Sequence, residues 1–216
     1  MKLSKRLSLV ANMVDDNSNV IDVGCDHALL SIYLAKSLNN VNITASDINE
    51  KPLLSAKENI KKYHLEDKIK LELKDGITDL NSNIDTVIIS GVGGILITNI
   101  LNKKYLNNVN TLILSPNNDF EKVRNHLKKI GYYLEKENLI TDKNITYLVI
   151  KAKKGRKKIN NLFGVLNNKD LETIYYFNKR SLNNKKIINE LPNKYFLKKL
   201  KLKRENKKIK IFLNNK

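Results

Sequence analysis

Hydrophobic positions along this chain switch repeatedly between two rhythms. Leu3, Leu7, Val10 and Val14 recur at helical spacing, with Ser4 placed to cap and Asp15-Asp16-Asn17 placed to stop the helix. Short β-branched runs then alternate with helical patterns. Strands are predicted over 20–23, 41–46, 69–73, 84–90 and 111–115, and helices over 28–38, 51–63, 95–101 and 119–130. A short helical turn is predicted near 77–80. The run over 84–90 is almost uniformly apolar, as a strand covered on both faces requires. Residues 132–140 and 146–152 read as two antiparallel strands around a turn at 141–144. Repeated βα units closed by a hairpin predict a doubly wound, mainly parallel α/β sheet of seven strands.

The pattern changes at Lys153-Lys154-Gly155-Arg156-Lys157-Lys158. Apolar positions at Leu171, Ile174, Tyr175, Leu182, Ile188 and Leu191 precede Pro192-Asn193, and Phe196, Leu197, Leu200, Ile209 and Phe212 follow. This predicts a coiled-coil-like antiparallel helix pair joined at the proline, so that the domains are 1–155 and 156–216. The stripe thins after Leu202, and the last turns are expected to fray.

Charge sharpens that division. Residues 153–216 hold 20 Lys/Arg against four acids, a net of +16, while 1–152 hold 20 against 18, a net of +2; together they make the +18 of the chain. A near-neutral body with a basic tail points to a phosphate-rich macromolecule. Drift towards lysine, which supplies all but five of the 40 basic residues, does not explain why acids are missing from one end. No apolar run reaches the roughly 20 residues of a membrane span, and the N-terminus lacks a signal-peptide pattern. A single cysteine, Cys25, rules out an internal disulfide and suits a reducing compartment. A cytoplasmic protein without membrane or metal is expected, and a monomer.

The most informative stretch is Val20-Ile21-Asp22-Val23-Gly24-Cys25-Asp26-His27-Ala28, a strand running through a tight turn into a helix. Dinucleotide folds place three glycines here; this chain keeps Gly24 and has Asp26 and Ala28 at the other two positions. A carboxylate beside a helix N-terminus repels phosphate and suits a ligand carrying an ammonium or sulfonium, which favours S-adenosylmethionine over NAD. Asp22 or Asp26 would take the ammonium of its methionine end by a charge-assisted hydrogen bond. Asp47 ends the second strand 23 residues after Gly24 and suits a ribose diol, with Ile48 against the adenine. Asp75-Gly76, after the third strand, fits a carboxylate accepting the adenine amine. The loop Ser90-Gly91-Val92-Gly93-Gly94 permits close approach of a base or of the sulfonium to backbone. Each of these has a plainer reading as a loop tie, a strand-end cap or a turn.

These residues together resemble class I S-adenosylmethionine-dependent methyltransferases. More narrowly, the chain is similar to the bacterial tRNA (adenine-N1)-methyltransferases that act on adenine twenty-two of the D-arm. The resemblance rests on Leu3-Ser4-Lys5-Arg6-Leu7, Asp22-Val23-Gly24-Cys25-Asp26-His27-Ala28, Ser55-Ala56-Lys57, Asp75-Gly76, Ser90-Gly91-Val92-Gly93-Gly94 and Ser115-Pro116-Asn117, in that order across 1–152. The family more often carries Met where Val92 stands. The tail matches the family's helical extension in placement and character only. The resemblance implies a Rossmann-like methyltransferase domain, S-adenosylmethionine as cofactor and tRNA as partner.

The loop at 90–94 lacks the Asp/Asn-Pro-Pro-aromatic sequence that grips an exocyclic amine, which leaves a ring nitrogen as the nucleophile. N1 of adenine needs no deprotonation, and its methylation leaves a cationic base. The site must align N1 with the methyl and stabilise developing positive charge. Asp26 is the first candidate for that role, Asn117 for orienting the base, and His27 for touching the base or holding Asp26. His64 and His126 are read as helix residues, and Cys25 as a packed thiol. Lys5, Arg6, Arg156, Lys157, Lys158, Lys179, Arg180, Lys185 and Lys186 are the candidate RNA contacts. A methyltransferase for another RNA base, an inactive RNA-binding protein on this scaffold, and a small-molecule methyltransferase remain open on sequence grounds.

Overall fold

Ser4 opens the first helix by accepting a hydrogen bond at Oγ from the Leu7 N–H, 3.2 Å away. In the computed structural model, which describes residues 2–215, α1 spans Lys5–Ala11. There follow β1 (Asn19–Val23), α2 (Leu29–Ser37), β2 (Asn42–Asp47), α3 (Glu50–Lys62), β3 (Ile69–Leu73), β4 (Thr86–Ser90) and α4 (Gly94–Ile100). The unit continues with β5 (Thr111–Ser115), α5 (Phe120–Ile130), β6 (Tyr132–Asp142) and β7 (Ile145–Lys154). The strands form one seven-stranded sheet in the order β3-β2-β1-β4-β5-β7-β6. The first five are parallel; β7 runs antiparallel to both β5 and β6.

The central strands carry the core. Val20 and Ile21 of β1, Val87–Ile89 of β4 and Leu112–Leu114 of β5 are buried on both faces, beneath Ile32 and Leu34 of α2 and Val123 and Leu127 of α5. Each such side chain contributes about 1.5–3 kcal/mol by leaving water. α1 is held over the hairpin end of the sheet by Asp15, which accepts from Lys151 Nζ at 2.5 Å and Lys153 Nζ at 3.0 Å. Those two lysines hold the Asp15 pKa below its usual value against the opposing effect of partial burial.

Two local features differ from the sequence pattern. Residues 77–80 form turns and no helix: Gly76 and Asp79 both take positive φ (61° and 50°), which interrupts a helical ladder. The hairpin is longer than the pattern predicted, since Lys143 and Asn144 both adopt positive φ. A two-residue turn of that kind matches strand twist, so pairing persists to Asp142 opposite Ile145.

The unit that contains the sheet extends to Val165, beyond the 155/156 boundary that composition suggested. A buried ion pair explains the extension. Arg124 Nε meets Glu137 Oε1 at 2.8 Å, and Arg124 Nη1 donates to the carbonyls of Asn161 (3.0 Å) and Leu162 (2.9 Å). The Val165 N–H donates to Glu137 Oε2 at 2.8 Å. The segment after β7 is thereby stitched to α5 and β6.

The second unit begins at Leu166. α6 (Leu171–Glu190) is capped by Asp170, a 3-10 turn over Asn193–Tyr195 follows Pro192, and α7 runs Phe196–Asn214. The helices pair antiparallel: Arg180 Nε lies 2.7 Å from Glu205 Oε1, and Asn184 donates to Glu205 and Asn206 at 2.9 and 3.1 Å. The last turns do not fray. Phe212 packs edge-on against Phe177, and Ile209 is buried between them and the ion pair in sequence. No helix among the described residues is long and apolar enough to cross a membrane.

Candidate cofactor cleft and its surroundings

The sheet order reverses between β1 and β4, and the loops leaving these two strands part to form a cleft of about 270 Å³. Open α/β sheets bind ligands at such a switch point. The cleft is lined by Asp22, Gly24, Cys25, Asp26 and His27 after β1, by Ser90, Gly91 and Val92 after β4, and by Arg6 from α1.

The loop after β1 is tightly specified. The N–H groups of Gly24 and Cys25 both donate to the Ser46 carbonyl, at 2.8 and 2.9 Å, which ties the loop to β2. Gly24, Asp26 and Ala28 take φ of +72°, +51° and +54°. Gly24 takes that conformation freely, but Asp26 and Ala28 are non-glycine residues held left-handed two apart, strain of the sort that sites store. A Cβ on Gly24 would meet nothing within 4 Å, so the glycine opens onto free space. Beneath it, Asp22 is buried and accepts from Ser31 Oγ at 2.7 Å. Burial pushes its pKa up to about 6, with the Ser31 hydroxyl acting the other way. Burial, with the Asp22 and Asp47 carboxylates, also pushes the Cys25 thiol up to about 12, so it is a packed thiol rather than a nucleophile.

Asp26 and His27 stand at the mouth. Their side chains are exposed, with His27 Nε2 3.5 Å from Asp26 Oδ1, and the His27 carbonyl accepts from Asn59 Nδ2 at 3.0 Å. Asn117 lies outside the cleft lining but touches it: its Nδ2 donates to the Gly91 carbonyl at 2.8 Å, and its N–H to that of Val92 at 3.0 Å. The loop after β5 thus braces the loop after β4. Asn118 completes the brace by accepting from the Gly94 N–H at 3.0 Å; a Cβ at Gly94 would clash with the Asn118 carbonyl.

Asp47, Ile48, Asp75 and Gly76 lie outside the cleft lining, at the ends of β2 and β3 beside it. Asp47 is buried and its Oδ1 accepts from the Asn49 N–H at 3.0 Å. Ile48 is 61% exposed, a free apolar face next to that carboxylate. Asp75 is exposed, and Gly76 sits against Ile100, where a Cβ would approach to 3.2 Å.

Of the expected RNA contacts, Lys5, Arg156, Lys157, Lys158, Lys179, Lys185 and Lys186 are exposed. Lys157 Nζ rests 4.0 Å from the Tyr133 ring centroid. Arg180 is engaged with Glu205. Arg6 is half-buried in the cleft. Sequence reasoning missed Ser31; a small hydroxyl set between Leu30 and Ile32 in α2 was the available signal. His126 Nε2 is 2.9 Å from the Leu101 carbonyl, and His64 lies beyond the end of α3 with positive φ, so neither approaches the cleft. No cluster of three or more potential metal ligands occurs among the described residues.

A 3-2-1-4-5-7-6 sheet with carboxylates at the ends of its neighbouring strands defines an α/β methyltransferase scaffold. A methyltransferase-domain family profile matches residues 3–150. The tRNA (adenine(22)-N(1))-methyltransferase of Bacillus subtilis is 34% identical over 158 residues, covering 72% of this chain and 66% of that protein. Among solved structures, Mycoplasma capricolum TrmK in complex with S-adenosylhomocysteine superposes with a TM-score of 0.87 at 27% identity, covering 99% of each chain. The Bacillus subtilis m1A22 tRNA methyltransferase TrmK gives 0.85 at 25%, over the same shares. The chain belongs to the bacterial tRNA (adenine(22)-N(1))-methyltransferase family.

Proposed function

We propose that this protein transfers the methyl group of S-adenosylmethionine to N1 of adenine 22 in tRNA, as its Bacillus subtilis relative is named for doing. The observation that carries the reading is Asp22: a buried carboxylate on the cleft floor, beside a glycine that faces open space. A buried carboxylate is costly unless a cation meets it, and the ammonium of the cofactor supplies one. The remaining acids fit the rest of that molecule. Asp47 suits the ribose diol, Ile48 offers the adenine an apolar face, and Asp75-Gly76 stands at the adenine end.

The cofactor supplies an electrophilic methyl on a sulfonium. The chain's residues position the base and manage its charge. Adenine N1 would attack the methyl carbon through an in-plane lone pair as the sulfur–methyl bond breaks, so that the donor leaves as a neutral thioether and its positive charge passes to the base. Asp26, exposed at the mouth, stabilises that charge, with His27 against it. Asn117 keeps its Nδ2 on the Gly91 carbonyl, so its Oδ1 is the group able to accept from the base's N6 amine. No deprotonation precedes attack.

An adenine inside a folded tRNA must be swung out of its stack at a cost of a few kcal/mol. Phosphate contacts from the lysines of the helix pair, and from Lys5 and 156–158, would hold the tRNA while that happens. The helix pair is accordingly the RNA-gripping domain and the sheet unit the catalytic one. Incubation of the protein with unmodified tRNA and methyl-labelled cofactor, followed by nucleoside mass spectrometry, should give 1-methyladenosine at position 22; label in another nucleoside would refute the base assignment.

A further inference from the structure

The tip of the helix pair presents an apolar surface that its own helices leave uncovered. Tyr195, Phe196 and Leu197, where the 3-10 turn runs into α7, are 46%, 65% and 79% exposed. At the other end of α7, Ile209 is buried and Phe212 packs on Phe177, so the pair does bury apolar side chains where it has partners for them. A contiguous apolar patch rimmed by polar side chains marks an interaction site. The charges around this one are all of one sign: residues 191–204 hold Lys194, Lys198, Lys199, Lys201, Lys203 and Arg204, and no acid. Lys194 Nζ lies 5.4 Å from the Tyr195 ring centroid, and Lys199 Nζ donates to Asn193 Oδ1 at 3.3 Å across the turn. Aromatic faces set among cations suit single-stranded nucleic acid, whose phosphates meet the cations and whose bases meet the rings.

We propose that the tip of the helix pair, through Phe196 and Tyr195, stacks on an unpaired base of the tRNA. The inference rests on tRNA as the substrate and adds a contact that reads RNA structure rather than charge. Lysines along a helix hold any phosphate chain. A ring needs a base face that no neighbouring base already covers, and RNA offers such faces in loops, bulges and ends. The tip therefore distinguishes folded tRNA from plain duplex and fixes where along the RNA the helix pair lies. An anionic membrane is the competing partner, since it too takes aromatic and basic side chains together. A helix that lies in a membrane interface buries an apolar face along its length. Here the uncovered run at the tip is three residues, closed by Lys198 and Lys199.

The chain contains no tryptophan, so Phe196→Trp places a single indole at the tip, at once a stacking ring and a reporter. This variant should keep wild-type affinity, and its fluorescence should be quenched as folded tRNA is titrated in. A fully paired RNA duplex, held through phosphates alone, should change the emission little. In filter binding, Phe196→Ala and Phe196→Leu should both weaken tRNA binding by roughly fivefold to a hundredfold, since leucine keeps an apolar surface but offers no ring. The dependence of log Kd on log salt should keep the wild-type slope, because no phosphate contact is lost, and circular dichroism should show unchanged helix content. Unquenched emission from a variant that still binds tRNA, or full affinity in Phe196→Ala, would overturn the proposal and leave the grip to the lysines. Equal quenching by the duplex would show proximity without stacking and overturn it too. A blue shift on phosphatidylserine vesicles with none of the tRNA effects would give the tip to a membrane. Failure of the wild-type protein to bind tRNA at any salt would instead remove the substrate, and the tip contact with it.

Discussion

Asn117 Nδ2 reaches the Gly91 carbonyl across 2.8 Å, joining the loops that leave two adjacent parallel strands. The pairing ties the tip of β5 to the back of the β4 loop that lines the cleft. It also decides which end of the Asn117 amide faces outward.

Replacing Asn117 tests both consequences. Asn117→Ala removes the brace and the acceptor for the base; Asn117→Asp puts a carboxylate against a carbonyl oxygen. Both should lower kcat for tRNA methylation by about 10²-fold through misplacement of the base. The Kd for S-adenosylhomocysteine should change less than about threefold, since the cofactor's acids lie on the other strands. Parallel loss of cofactor binding in calorimetry would make Asn117 structural.

Asp22 predicts a pH dependence with a defined sign. Its carboxyl titrates at about 6 in the unliganded protein, against 3.8 for the ordinary group. Only the ionised form meets the cofactor's ammonium, so affinity should rise about tenfold per pH unit up to about pH 6 and level off above it. Binding near pH 6 should release a proton to buffer, visible as a buffer-dependent heat. In Asp22→Asn the profile should be flat and the affinity low.

The same substitution should stabilise the empty protein. A raised carboxyl pKa means that folding stability falls as pH climbs from 3.8 to about 6 and stays reduced above that window. Asn at position 22 removes the penalty and keeps an oxygen for the Ser31 hydroxyl. A gain of up to about 3 kcal/mol at pH 7 follows from the size of that shift. Urea denaturation at pH 4 and pH 7 checks it: the variant's advantage should appear at the higher pH and shrink at the lower.

Gly164 is a stability prediction of another kind. At φ +60° it packs on the Arg124–Glu137 pair so closely that a Cβ would collide with the Glu137 carboxylate. Gly164→Ala should therefore break a buried ion pair, at a cost of about 3–5 kcal/mol. Arg124→Met, which strands Glu137, should cost a similar amount, and the double variant should cost less than the sum. Chemical denaturation of the three proteins decides the matter; simple additivity would disconnect the glycine from the pair.

The sheet was legible because its signals are local. Apolar β-branched runs such as Thr86–Ser90 declare a buried parallel strand, and Ser4 stands where a helix cap belongs. The acids at the strand ends were legible for the same reason, each being one position in a strand-to-turn junction. What escaped were relationships made by distant segments. Arg6 reads as one more solvent-facing cation of an amphipathic helix until α1 is laid beside β7 and the loop at Gly91. The extension of the sheet unit to Val165 depends on Arg124 and Glu137, separated from that segment by whole elements. The persistence of α7 past Leu202 depends on Phe177 of the opposite helix. Composition registered the charge of this region, not the partners of its side chains.

The helix pair allows charge that grips RNA to be separated from charge that holds the fold. Lys185 and Lys186 are exposed on α6, whereas Arg180, one turn earlier, is paired with Glu205. Arg180 and Asn184 hold the Glu205 pKa below its ordinary value although burial acts to raise it, which marks the contact as favourable to the ionised pair. Lys185→Glu/Lys186→Glu should weaken tRNA binding by tenfold or more. It should also flatten the dependence of log Kd on log salt by roughly one to two units, the slope that two phosphate contacts represent. Arg180→Ala should leave that slope close to wild type and lower the thermal stability of the helix pair, by up to about 1 kcal/mol given its partial exposure. Filter binding across a salt series, with circular dichroism melts of the same proteins, separates the two effects. If the double lysine variant kept the wild-type slope, the grip would have to lie elsewhere on the tail.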